Sequence, residues 1–388
     1  MARPPGKRPI VLGGSTEAVQ LFYDETRFRR AGATPRFVRR TLFGEGAVHG
    51  LDDEQHALRK AMFLELVTPD AAQAIGATAA REWTELVGEA AVPCVELFAT
   101  AVGVHADAVC DWARVPADLR YPALAGDLAT IVDGFGSIGL RHVRAARARK
   151  RVDRWSTRLI RAVRTGVVKS PPHSALARMS TQRDVDGKPL DAEVAGVELV
   201  NILRPTVAVA WFAVFAAMAL HDHPELRARL ADGDNELLES FAHELRRAYP
   251  FVPMLAARAR TDFEWKGHRF RRGQRVVLNV YGTLHDPHVW HEPDHFDVDR
   301  FHAHDPDPYL FIPQGGGMPE GHRCPGERVA VELIKATARW LCSVDYEVPA
   351  QDLRLRLARM PARPRHGFVM TDVRRRTPAR PGPAAVPA

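Results

Sequence analysis

The chain has 388 residues, 46% of them apolar, and a formal charge of +7 from 54 Lys and Arg against 47 Asp and Glu. That is enough apolar material for a large core. The basic excess is Arg spread over helices such as 142–164, without the interleaved aromatics that stack on bases. This argues against a nucleic-acid partner and leaves either a solvated face or a basic patch for an acidic partner or an anionic surface.

The first residues, MARPPGKRPIVLGG, lack the apolar core of a signal peptide. Segment 8–13 reads as a short strand, and 16–24 as a helix after the cap signal Ser15. Helical spacing recurs over 53–67, 71–88, 93–113, 121–135 and 142–165. A long helix over about 191–220 turns almost wholly apolar and so crosses the core. Its longest apolar run, Thr206 to Leu220, is shorter than the roughly 20 residues of a membrane span, so a soluble cytoplasmic protein is expected. A helix over 234–248 ends at Pro250. Residues 263–270 and 275–281, flanked by Gly267 and Gly273, read as pairing strands. Residues 282–323 form a long coil, and a helix returns at 327–341. The Pro/Ala-rich tail 377–388 reads as disordered, which leaves 1–376 as one domain, mainly α with small β-sheets.

Four cysteines, Cys94, Cys110, Cys324 and Cys342, contain no C-x-x-C pair, so neither a zinc site nor a disulfide framework is indicated. Cys324 stands apart. In QGGGMPEGHRCPGE (314–327) it follows Gly315, Gly316, Gly317 and Gly321 and directly precedes a helix. Orphan N–H groups and the positive end of a helix dipole lower the pKa of such a cysteine. The upstream glycines let backbone approach a flat ligand.

This loop resembles the haem-binding loop of the cytochrome P450 superfamily. Glu244 and Arg247 form its E-x-x-R, and Arg300 in DVDRF matches the third member of a structural Glu-Arg-Arg network. The resemblance implies a haem-thiolate fold with haem b, Cys324 as the axial iron ligand, and His56, Arg59, Lys60 and His322 as candidate haem-propionate partners. It also implies a helix and strand ahead of segment 8–13 that this sequence does not contain.

The central helix reads ELVNILRPTVAVAWF, with Arg204-Pro205 where an oxygen-activating member carries an acid-alcohol pair. Pro205 costs a helical hydrogen bond, so a kink is expected there, and a buried Arg204 demands an anion. With TLFGEGAVHG, RKAMFLELVTP and YGTLHDPHVW, this pattern resembles the bacterial fatty-acid peroxygenases of the superfamily over about residues 8–372. What that implies is hydrogen-peroxide-dependent oxidation of a fatty acid at Cα or Cβ, giving hydroxy acids or a terminal alkene, with no redox partner. Arg204, backed by Pro205, would hold the substrate carboxylate, which assists peroxide cleavage. Phe43 and His49 would line the pocket, with His49 influencing the product. The alternatives are a monooxygenase fed by a redox partner and a non-catalytic haem and fatty-acid sensor.

Overall fold

A computed structural model describes residues 9–376 other than 233, 303–305 and 358, so the proposed tail lies outside the described residues. Local signals set the ends of several helices. Ser15 caps Thr16–Tyr23 by accepting the Ala18 N–H, and Thr68 does the same for Pro69–Leu86, which carries proline in its first turn. Helices Asp53–Leu66, Leu124–Asp133, Leu140–Arg164, Asn235–Ala248 and Glu327–Ser343 fall where periodicity puts them.

The apolar segment expected as one kinked helix is two, Ala192–Val207 and Ala210–Asp222. Pro205 offers no N–H to the Asn201 carbonyl, and the chain tightens over Ala208 and Val209 before the helix resumes. Across its most apolar window the stretch Ala192–Asp222 is 94% buried, so it is a core element and not a membrane span. Helices Leu97–Trp112 and Leu140–Arg164 flank it. Behind them, Glu327–Ser343 packs on Pro69–Leu86 at Gly76, where a Cβ would lie 2.9 Å from the Glu332 Cβ. The rings of Trp83 and Trp340 stack 4.5 Å apart between the same two helices.

Two strand expectations need correction. The start of the segment read as helix 93–113 is a strand, Val92–Glu96, which pairs antiparallel with Val369–Arg375. Residues 263–270 do not pair with 275–281. They close on themselves as the hairpin Phe263–Trp265/His268–Phe270, turning at Lys266 and Gly267, both at positive φ. Arg275–Asn279 instead pairs with Met254–Ala259 and with Ile10–Leu12 in a sheet ordered 10–12, 275–279, 254–259, 28–29. Val92–Glu96 and Arg275–Asn279 each take a partner hundreds of residues away, where a local pattern carries no information.

Helix Leu97–Trp112 holds His105 fully buried, with neither ring nitrogen hydrogen-bonded, and burial pushes its pKa down to about 3. The ring is neutral in the fold but charges in the unfolded chain below about pH 6.5. Its depressed pKa therefore costs no stability above that pH, and stability falls as pH drops from 6.5 towards 3, by ~1.4 kcal/mol per pH unit. His105→Leu should flatten the pH dependence of urea unfolding of the holoenzyme by one proton, an advantage of about 2 kcal/mol at pH 5. An unchanged pH slope would show that His105 charges without penalty.

Candidate active site

Cys324 sits three residues before helix Glu327–Ser343. Its N–H donates to the Gln314 carbonyl at 3.0 Å, closing the loop, while Gly315 and Gly317 take positive φ. The Tyr23 hydroxyl accepts the Gly316 N–H at 2.8 Å and anchors the loop to the first helix. Arg323 pairs with Glu327 at 2.6 Å, and Glu327 also pairs with Arg246. Contrary to the expectation from its helix terminus, the Cys324 thiol is raised above its ordinary value. Burial raises it, and the Gly326 N–H, Lys60 and Arg246 only partly offset that. Ligation by a metal would supply the deprotonation that the helix terminus alone does not, since a coordinating thiol gives up its proton.

The coil leading to this loop hangs on one buried carboxylate. Glu244 takes two bonds from Arg247, at 2.7 and 2.8 Å, one from Arg300 at 3.2 Å, and the Asp297 N–H at 3.0 Å. Arg247 then donates to the carbonyls of Leu284, Pro293 and His295, and Arg300 to those of His291, Glu292 and His295. The guanidiniums thus tie down a segment with no secondary structure of its own.

A lysine and two imidazoles gather near the sulfur. Lys60 is buried and donates to the Arg323 carbonyl. The rings of His56 and His322 lie 3.9 Å apart. Burial holds the Lys60 pKa down to about 8 and that of His56 to about 4. Glu25 completes a set of three donor atoms within 4.8 Å of one another. Lys60 and the two imidazoles suit the propionates of a haem. Arg59 does not join them. It is buried in an ion pair with Glu198 at 2.7 Å, so its expected role as a propionate partner is replaced by a structural one. Cys324 and His49 keep accessible surface although protein surrounds both, so each stands on the wall of an internal space. A hollow floored by a cysteine and edged by Lys60 and two hydrogen-bonding imidazoles fits a haem.

Phe43 and His49 stack at 4.2 Å on the turn facing Arg204, whose guanidinium carbon lies 5.8 Å from the Phe43 ring centroid. Burial, then the charges of Arg204 and Lys60, press the His49 pKa down to about 3, so the ring is neutral at ordinary pH. Arg204 itself is buried. Its Nη2 donates to Asn201 Oδ1 at 3.0 Å and its Nε has no partner. Burial and the nearby Arg149 lower its pKa to about 9, with Cys324 acting in the opposite sense. Among the described residues no carboxylate pairs with it.

Sequence reading missed the residues that hold this arginine. Glu198, Asn201 and Arg204 follow at three-residue intervals on one helix face. Asn201 Nδ2 donates to Glu198 Oε2 at 2.9 Å, and Glu198 Oε1 accepts from Arg59 at 2.7 Å and from the Val48 N–H at 2.8 Å. The E-x-x-N-x-x-R spacing was the available signal. Arg149, buried on helix Leu140–Arg164, was also missed. It donates to the Leu42 carbonyl at 3.4 Å and pairs with Asp153 at 2.5 Å. Gly44 closes against it, because a Cβ there would lie 2.4 Å from Arg149 Nη2.

Residues 233–363 match the sequence model of the cytochrome P450 family. Cytochrome P450 139 of Mycobacterium tuberculosis is 28% identical over 310 residues, 73% of this chain and 69% of that protein. Solved structures are more similar. Cytochrome P450SP alpha (CYP152B1), in complex with (R)-ibuprophen, is 41% identical, with a TM-score of 0.88 over 94% of this chain and 90% of that one. Cytochrome P450EX alpha (CYP152N1) with myristic acid is 37% identical, TM-score 0.90, over 96% and 91%. A variant of cytochrome P450 OleT in complex with arachidonic acid is 30% identical, TM-score 0.89, over 95% and 88%. With likeness of this degree along nearly its whole length, the chain belongs to the cytochrome P450 superfamily and, within it, to the CYP152 fatty-acid peroxygenases.

Proposed function

We propose that residues 1–376 act as one catalytic unit that uses hydrogen peroxide to oxidise a fatty acid at Cα or Cβ, with the substrate's own carboxylate completing the proton machinery. One observation carries this reading: Arg204 is a buried cation that, among the described residues, has a neutral amide and an aromatic ring for neighbours and no carboxylate. A cation so placed costs several kcal/mol unless an anion joins it. The CYP152 structures that hold myristic and arachidonic acid support a fatty acid as that anion.

Bound haem, ligated by Cys324, supplies the iron at which peroxide is split and the oxidising power for attack on carbon. The protein's own part is positional. Arg204 fixes the carboxylate, and Asn201 fixes Arg204. The other proton-bearing groups on this stretch of helix are committed elsewhere: Glu198 accepts three donors, and the Thr206 hydroxyl donates back to the Ile202 carbonyl at 2.9 Å. With those groups occupied, general acid–base assistance falls to the substrate carboxylate. Neutral His49 stands beside it as a hydrogen-bonding group that tilts the outcome towards decarboxylation and away from hydroxylation.

Three experiments test this account. Cys324→Ala should lose the thiolate-type Soret band of the reduced carbon monoxide complex or fail to hold haem, while Cys94→Ala, Cys110→Ala and Cys342→Ala keep it. A thiolate-type spectrum from Cys324→Ala would assign the ligand elsewhere. Arg204→Ala should weaken fatty-acid binding by about 2–5 kcal/mol, read from substrate-induced spectral shifts. Arg204→Lys should retain partial activity, since it keeps the charge but loses the fork. Acetate should switch on peroxide-driven oxidation of a substrate lacking a carboxylate, and Arg204→Ala should abolish that rescue. Full peroxide activity on such a substrate without added acid would show that the protein carries its own proton relay. His49→Gln should shift any alkene towards hydroxy acid with affinity within a few-fold of the parent. An unchanged product ratio across several chain lengths would leave His49 a pocket filler.

A further inference from the structure

Helix Leu140–Arg164 carries ten Lys or Arg and a single acid, Asp153, so this one element outweighs the +7 of the whole chain. Several of these cations are committed. Arg149 turns inward, Arg151 pairs with Asp127, Arg161 with Glu193, and Arg141 with Asp133. Arg144, Arg147, Lys150, Arg154 and Arg158 are exposed, and among the described residues none of the five has an acidic partner. Their spacing of three or four residues sets them in one stripe about 21 Å long.

The stripe continues at its N-terminal end into exposed apolar side chains. Leu140 and Val143, 76% and 40% exposed, lie on the same helix face. Ile138, at 85%, stands on the preceding turn. His142 meets the half-exposed Phe37 edge-on at 5.5 Å, which brings a second element to the patch. Both elements lead inward from there. The segment Arg36–Phe43 runs from Phe37 at the surface to Phe43 beside Arg204, roughly 9 Å by helical rise. Two turns past His142, Arg149 donates to the Leu42 carbonyl of that same segment.

We propose that this face docks the protein on an anionic lipid bilayer, with the unpaired cations on the headgroups and Phe37, Ile138, Leu140 and Val143 entering the acyl boundary. Charge complementarity selects the partner. A long stripe of unneutralised Arg and Lys beside protruding aliphatic side chains is the composition of an interfacial helix, which needs no spanning segment. Resting on the fatty-acid reading above, docking places the outer end of the segment that reaches Phe43 and Arg204 against the phase in which a long-chain acid dissolves.

The experiment is cosedimentation of the haem-loaded enzyme with vesicles of phosphatidylcholine alone and of an equal mixture with phosphatidylglycerol, at low and high salt. The enzyme should bind the mixed vesicles, ignore the zwitterionic ones, and come off as salt rises. The combined variant Arg147→Gln/Arg154→Gln/Arg158→Gln should bind on the order of a hundredfold more weakly, at about fivefold for each cation lost. Ile138→Ser/Leu140→Ser should lose on the order of tenfold yet keep the salt dependence. Both should retain the thiolate-type spectrum and the parental peroxide turnover of a short, water-soluble acid. Equal binding to both vesicle types, or parental binding by the triple variant, would overturn the proposal. So would an enzyme that ignores vesicles while binding an acidic ferredoxin through the same cations. The soluble-acid assay tests the fatty-acid reading separately, so either failure is visible without the other.

Discussion

A guanidinium taken out of water without a protein anion is the constraint around which the distal half of this structure is arranged. Arg204 lies in a helix buried along nearly its whole length, and burial, with Arg149 nearby, draws its pKa down to about 9. Its surroundings are built to aim it without neutralising it. Arg59 and Glu198 cancel each other, and Asn201 passes the geometry of that pair on to Arg204 as a neutral bridge. The charge left over belongs to whatever enters. A second cation, Arg149, adds to the same potential and holds the Leu42–Gly44 turn closed. The cost of keeping such a charge dry is recovered when a carboxylate binds. The same uncompensated charge disfavours neutral ligands of similar shape.

The proximal half uses buried charge in the opposite way. Glu244 is fully satisfied by Arg247, Arg300 and a backbone N–H, and the spare donors of both arginines go to backbone carbonyls of the coil. Removing one member of such a network leaves the others buried and unpaired, typically a loss of 3–5 kcal/mol. That rigidity suits a loop whose cysteine must meet a metal at fixed geometry. The sulfur itself receives little electrostatic help, because burial outweighs the Gly326 N–H, Lys60 and Arg246. In this site the loop supplies position, and deprotonation comes with ligation.

Much of this was written locally. The Gly-rich run before Cys324, the E-x-x-R of Glu244 and Arg247, and the Arg204-Pro205 pair are short-range patterns, and each falls within a few residues of the element it specifies. Helix positions followed because an amphipathic period is a property of neighbouring residues. By itself the sequence determined the helical class, the ligand loop and the anomalous cation in the core. Tertiary structure decided the rest. Met254–Ala259 and Val369–Arg375 carry weak local strand signals and owe their conformation to partners from about twenty to hundreds of residues away. Arg59 looked equivalent to Lys60 on the same helix, and only the approach of Glu198, 139 positions along, separates their roles. Cys324 looked activated by its helix terminus, but desolvation depends on everything that closes around the sulfur, and that is set by the packed fold and not by its neighbours in the chain.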